Sequence, residues 1–207
     1  MPVIIRAAIN RHEQARAAAA LGAAFAEDPL LAKMVPGDDR ARRLSTLFDA
    51  QLRASDPAWL RVDIALDGDT VVGAALWHTP QHPRRYQRLA GLRQLPRAAR
   101  AARWSGITRL LTTRNDFAEH RPLIQHWYLE DIGVPPGRQG GGLGRGLLDR
   151  GLARVDADAQ IAYLEATTDS ARRLYERAGF EVRGRISGYA PVRPYAMVRP
   201  ARPATAG

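Results

Sequence analysis

Three groups of residues in this 207-residue chain have types and spacings suited to chemistry. The first is the run Gly137-Arg138-Gln139-Gly140-Gly141-Gly142-Leu143-Gly144-Arg145-Gly146, which follows an apolar stretch and leads into a helical pattern. A helix N-terminus offers unpaired backbone N–H groups and a partial positive charge, and glycines let the backbone approach an anion closely. Spacing excludes two phosphate-binding motifs. A P-loop ends in Gly-Lys-Ser/Thr, whereas Gly144 is followed by Arg145-Gly146; a dinucleotide fingerprint read from Gly140 or Gly142 requires glycine at Arg145 or Leu147. What remains is Gln139-x-x-Gly142-x-Gly144. The second group is Glu130-Asp131, with His126 and Tyr128 just before it, where carboxylates on a strand are available for proton transfer. The third is Leu174-Tyr175-Glu176-Arg177-Ala178-Gly179-Phe180, an amphipathic turn of helix with a phenol on its apolar stripe.

The elements that position these groups read as a mixed α/β pattern. Val3 to Ala8 is a short strand, and an alanine-rich helix follows with Ala17, Ala20, Leu21, Ala24 and Phe25 at helical spacing. Asp28-Pro29 interrupts it, because the residue before proline avoids the helical region. A short helix or turn around Leu30, Leu31 and Met34 and a helix from about Asp38 to Ser55 come next. Leu60 to Leu66 and Thr70 to His78 form a hairpin about Asp67-Gly68-Asp69. Gln125 to Val134 is a strand, and the glycine run opens a helix with Leu143, Leu147, Leu148, Leu152 and Val155 on one face. Ala162 to Ala166 is a strand, Ser170 to Ala178 a helix stopped at Gly179, and Phe180 to Ile186 and Val192 to Val198 are the last strands. Simple alternation along the 125–134 strand puts His126, Tyr128, Glu130 and Ile132 on one face and Trp127, Leu129 and Asp131 on the other.

Composition narrows the function. The chain is 45% hydrophobic and 25% charged, enough to build one well-filled domain. No apolar run is long enough to span a bilayer or to serve as a secretory signal, so a cytoplasmic protein is expected. With no cysteine there is no disulfide framework, no thiolate nucleophile and no cysteine-ligated metal, and no metal site is expected. The net charge of +10 invites nucleic acid, but Lys33 is the only lysine among 31 basic residues. Such one-sided use of arginine fits a coding bias better than selection for a phosphate backbone. Residues 80–120 carry a dense run of arginines around Trp104 and read as a basic helical insertion, a solvated face rather than a phosphate site.

The glycine run resembles the acetyl-CoA pyrophosphate loop of the GCN5-related N-acetyltransferase (GNAT) family, whose form is Gln/Arg-x-x-Gly-x-Gly/Ala. The resemblance covers about sixty contiguous residues. Ile132-Gly133-Val134-Pro135 leads into the loop as the family's fourth strand does. Tyr163-Leu164-Glu165-Ala166-Thr167-Thr168 looks like its fifth strand, and Leu174 to Val182 like its following helix and closing strand. The flavour is that of small-molecule, puromycin-acetyltransferase-like members. It implies a GNAT-like central mixed sheet of six to seven strands flanked by helices and splayed between the fourth and fifth strands. One domain would span 1–200, with the cofactor core at about 125–186 and a disordered tail at 201–207.

By this resemblance, acetyl-CoA is the co-substrate. Backbone groups of Gln139, Gly140, Gly141, Gly142, Leu143 and Gly144 would hold the pyrophosphate, with Arg138 and Arg145 flanking it. Ile132 and Val134 would pair their main chain with the pantetheine arm. Tyr175 stands where the family keeps its general acid beside the thioester sulfur. An alkylammonium with a pKa near 10.4 must lose a proton before it can attack. Glu130 is the expected base, directly or through water, with Asp131 and His126 in reserve and Glu165 as a further candidate. The family's asparagine before Leu-Tyr is missing from Thr168-Asp169-Ser170-Ala171, which leaves a cap but no side-chain amide for the cofactor. Phe25, Asp28 and Trp104 are candidates to line an acceptor pocket. With no cysteine and no serine in a nucleophile elbow, direct transfer in a ternary complex to a small primary amine is expected. A non-catalytic acyl-CoA-binding module and a protein or peptide amine are the alternatives, with a nucleic-acid-binding domain last. Homodimers occur in the family, and no self-complementary face is legible.

Overall fold

The computed structural model describes residues 2–82, 117, 120–187 and 192–202. Most of the basic insertion expected at 80–120, Trp104 included, and residues 203–207 of the expected tail lie outside these residues. The elements run β1 (Ile4–Ala7), α1 (Arg11–Ala24), α2 (Pro29–Met34), α3 (Arg40–Ala54), β2 (Leu60–Asp67), β3 (Thr70–His78), β4 (Trp127–Gly133), α4 (Leu143–Ala157), β5 (Ala162–Ala166), α5 (Asp169–Arg177), β6 (Glu181–Arg185) and β7 (Tyr195–Arg199). One turn of 3-10 helix, Pro136–Arg138, lies between β4 and α4. Among the described residues no helix is long and apolar enough to cross a membrane.

The strands form one seven-stranded mixed sheet in the order β1-β2-β3-β4-β5-β7-β6. Among the described residues only β4 and β5 pair in parallel. The rest are antiparallel, as expected for hairpins and their returns. Each face of the sheet has its own apolar layer. Ala17, Leu21, Leu44, Phe48 and Leu52 of α1 and α3 pack on Ile64, Ala74 and Leu76 on one side. Leu147, Leu148, Leu152 and Val155 of α4, with Tyr175 and Ala178, pack on Trp77, Trp127, Leu129 and Leu164 on the other. Burying each of the leucine, isoleucine, valine and phenylalanine side chains is worth about 1.5–3 kcal/mol. α4 lies so close to the sheet that a Cβ on Gly151 would stand 2.2 Å from Nε1 of Trp77, so only glycine fits there.

Two features of β4 shape the site. Its pairing with β5 runs from Trp127↔Ala162 to Leu129↔Leu164 and stops, whereas its pairing with β3 continues to Gly133. Beyond Leu129 the two parallel strands therefore part, and the splay expected from the family resemblance is present. The second feature corrects the alternation read from the sequence. A bulge between Leu76/Trp77 and Asp131/Leu129 puts one extra residue, Glu130, into β4. The extra residue reverses the alternation from there on. Asp131 turns to the α3 side, where its carboxylate accepts a hydrogen bond from Gln51 at 2.8 Å. Ile132 turns to the α4 side and packs with the layer around Trp127 and Leu129. Glu130 and Asp131 thus act on the same side of the opening, and Ile132 does not.

Candidate active site

The glycine loop has the shape of a cradle. Gly140 and Gly142 sit at φ +88° and +77°, left-handed conformations that residues with a Cβ adopt only with strain. A Cβ placed on Gly140, Gly141 or Gly142 would meet no atom within 4 Å, so the loop presents bare backbone to open space. Gly142 caps α4 without a side-chain hydrogen bond, which leaves the first N–H groups of the helix to an external anion. Gln139 does not point outward: its amide donates to the carbonyl of Val134 at 2.9 Å and ties the loop to the end of β4. Arg138 pairs with Asp67 at 2.7 Å, and Arg145 with Asp149 at 2.7 Å, one turn along α4. Both pairs are exposed and worth at most about 1 kcal/mol each, so an incoming phosphate can compete for either arginine. Residues 132–134 follow the point of splay, with main chain on the edge that β5 has left.

Tyr175 lies in α5, the helix that leaves the end of β5. Thr168 caps this helix by accepting from the N–H of Ala171 at 3.2 Å, which supplies the cap left open between Thr168, Asp169 and Ser170. The Tyr175 ring is buried, with Phe180 edge-on at 5.9 Å. Among the described residues its hydroxyl makes no hydrogen bond. Burial first, and the charge of Asp131 second, push its pKa up. The phenol therefore stays protonated at any physiological pH, a donor looking for an acceptor. Electrostatic coupling to Asp131 relates Tyr175 to the carboxylates of β4.

The carboxylates sit in a buried polar cluster on the α3 side of the sheet. Glu130 receives Nε2 of His78 at 2.5 Å. The His78 ring lies nearly parallel to Tyr128 at 5.9 Å, and Tyr128 nearly parallel to Tyr163 at 6.1 Å. The Tyr128 hydroxyl donates to Glu165 at 2.9 Å. Arg121 lies over the Tyr128 ring at 3.6 Å, with its Nε 3.7 Å from the other Glu165 oxygen. The Glu165 side chain is only 4% exposed. Burial pushes its pKa up to about 7; Arg121 and the tyrosine hydroxyls pull it down, and Glu130 adds to the rise. Burial likewise drives Tyr128 and Tyr163 upward.

A titration follows from this. A carboxyl whose folded pKa is raised above its unfolded value binds protons more tightly when folded. Its stabilising contribution is complete below about pH 4.5 and is lost as pH rises through about 7. Glu165→Gln carries no such titration. Its stability relative to the parent protein should rise by on the order of 3 kcal/mol between pH 4.5 and 8.5. Denaturant unfolding at both pH values measures this, and parallel stabilities would contradict the buried, raised carboxyl.

The structure thus brings together Glu130, Asp131, Glu165 and Tyr175 around the splay. The half-buried His126 precedes the paired segment of β4, away from the parting, with its Nδ1 2.8 Å from the carbonyl of Ile124 and its ring edge-on to Tyr163. Two of the residues offered for an acceptor pocket have structural partners. Asp28 caps α2 through the N–H groups of Leu30 and Leu31 and accepts the Thr167 hydroxyl at 2.6 Å; Phe25 packs on Phe48 at 5.6 Å. Sequence reasoning missed His78 and Arg121. His78 closes an apolar strand, an odd place for an imidazole and the one signal available; Arg121 follows an arginine-rich run in which nothing marks it.

Comparisons with known proteins agree with this geometry. The model of the acetyltransferase (GNAT) domain matches residues 61–182. A mycothiol acetyltransferase of Propionibacterium freudenreichii is 39% identical over 66 residues, 30% of this chain, and the match spans only 21% of that relative's length. A Corynebacterium glutamicum structure described as histone acetyltransferase HPA2 and related acetyltransferase is 28% identical. It covers 99% of both chains with a TM-score of 0.71. Arylalkylamine N-acetyltransferase 2 of Aedes aegypti shares the fold, at 14% identity, a TM-score of 0.63 and coverage of 98% of this chain and 100% of its own. With a family model matched over more than half of its length, a sheet that parts between β4 and β5, and an open glycine loop beside that parting, this chain belongs to the GNAT acetyltransferase family.

Proposed function

We propose that the protein is an acetyl-CoA-dependent N-acetyltransferase acting on a small primary amine by direct transfer, within a single domain spanning about residues 1–200. One observation carries the reading: the parting of β4 and β5 exposes strand edge next to an uncapped glycine cradle and has Tyr175 and the carboxylates of β4 around it. Bound acetyl-CoA supplies a thioester carbonyl as electrophile. The cradle from Gln139 to Gly144 holds its pyrophosphate, Arg138 and Arg145 meet its outer phosphates, and the main chain of Ile132 and Val134 runs alongside its pantetheine arm. Glu130, oriented by His78, receives the acceptor's ammonium and takes its proton directly or through water. Tyr175, held protonated, donates a hydrogen bond to the sulfur as charge develops there.

The acidic groups are buried beside the opening, with the Glu130 side chain 9% exposed and that of Glu165 4%. Carboxylates so little exposed suit a small ammonium better than a protein surface. The mycothiol acetyltransferase among the relatives supports a small-molecule acceptor in the same direction. The test is release of CoA thiol from acetyl-CoA across a panel of amines, read with a thiol-reactive dye. The chain's lack of cysteine removes background from the protein itself. Release that depends on one class of amine is expected; release by peptide N-termini or lysines alone would replace the small-molecule reading.

A further inference from the structure

The last paired residues of the two parallel strands are Leu129 and Leu164. The next residue of each is a glutamate, Glu130 on β4 and Glu165 on β5, so two carboxylates flank the apex of the parting. They lie on one side of the sheet. Tyr128 and Tyr163, two residues before them, are cross-strand partners with stacked rings on that side. Each carboxylate has its own support. His78 from β3 holds Glu130, while Tyr128 and Arg121 hold Glu165. Among the described residues, the other charged or titratable groups facing the pair include Asp131 on β4 and Tyr163 on β5. Two carboxylates, with Asp131 a third, thus share one environment in which, among the described residues, the guanidinium of Arg121 stands beside Glu165. Like charges placed so cannot ionise independently.

Building on the N-acetyltransferase reading above, we propose that Glu130 and Glu165 act as one coupled carboxylate pair, and that Arg121 is the positioning residue that keeps this pair open to a proton from the acceptor ammonium. Arg121 touches neither the acceptor nor the thioester in this scheme; it acts through Glu165 and the Tyr128 ring. In the step it serves, the acceptor's R–NH3+ gives one proton to the pair. The freed nitrogen lone pair attacks the thioester carbonyl carbon, the C–N bond forms and the C–S bond breaks. The second nitrogen proton goes to the departing sulfur, where Tyr175 stands as donor. The proton on the pair passes to solvent before the next turnover. Without the guanidinium, the pair holds its proton to higher pH and cannot receive another at neutrality.

Two measurements on the full chain test this. The first is the pH dependence of kcat/KM for Arg121→Met and Arg121→Lys. In Arg121→Met the acid limb should move up by about one pH unit, with roughly tenfold lower kcat/KM at pH 7, and Arg121→Lys should recover most of the shift because it restores the charge. The second is a 13C carboxyl titration of glutamate-labelled protein, in which the Glu165 resonance is found by its loss in Glu165→Gln among seven glutamates. The Glu165 titration should move up in Arg121→Met and down in Glu130→Gln, where a like charge has gone. A merely structural Arg121 would lower activity at every pH alike. An acid limb of Arg121→Met that superimposes on that of the parent, or a Glu165 titration unmoved in Glu130→Gln, overturns the proposal. Failure of the underlying reading looks different: no amine releases CoA at any pH, yet the two carboxyls still titrate together.

Discussion

Gly142→Glu is expected to abolish acetyl-CoA binding, weakening it at least a hundredfold by isothermal titration. Two effects combine. A residue with a Cβ at φ +77° costs on the order of 1–2 kcal/mol, and the added carboxylate occupies the space from which backbone N–H groups would meet a pyrophosphate. Because a Cβ at this position meets no protein atom within 4 Å, the fold should survive and binding should not. Gly142→Ala separates the two effects: it imposes the same backbone strain without charge, and its loss of affinity should be about tenfold or less. Unchanged affinity in Gly142→Glu would remove the loop from the cofactor site. The bare α4 N-terminus would then have no assigned role.

The second large effect is expected at Tyr175→Phe. The hydroxyl is the only part of the side chain removed, and among the described residues it bonds to nothing in the folded protein. Losing it therefore costs the resting fold little, while the departing sulfur loses its donor. A fall in kcat of about 10²–10³, with the KM for acetyl-CoA within about threefold and the melting temperature close to that of the parent, is the expected pattern. A kcat within a factor of three of the parent would make Tyr175 a packing aromatic against Phe180 and no more. The loop and tyrosine variants fail in different observables, one in binding and the other in turnover. Together they divide the site into its holding and its reacting halves.

Local signals make much of this legible in the sequence. Thr168 can cap a helix because its hydroxyl reaches the N–H three residues on. The Asp67-Gly68-Asp69 turn joins two strands that its own geometry makes neighbours, and Gln139-x-x-Gly142-x-Gly144 marks a loop in which Gly140 and Gly142 take positive φ. The alternation of β4 failed for a reason equally physical. A bulge is a mismatch between two strands, and β3 lies more than fifty residues upstream of the residue that is displaced. No pattern within residues 125–134 records it, so Asp131 and Ile132 exchanged faces only when β3 and β4 met.

The chain by itself determined the fold class, the family resemblance and the turn of the glycine loop, because each is signalled by residues a few positions apart. The surroundings of the carboxylates were decided by tertiary structure. Glu165 is an unremarkable strand glutamate until β4 brings Tyr128 to 2.9 Å and the segment before β4 lays Arg121 beside it. Glu130 meets His78, 52 residues earlier, only once the sheet has formed. Burial, which moves the Glu165 carboxyl from its ordinary range to about 7, belongs to the packed sheet and its layers; no single stretch of sequence contains it.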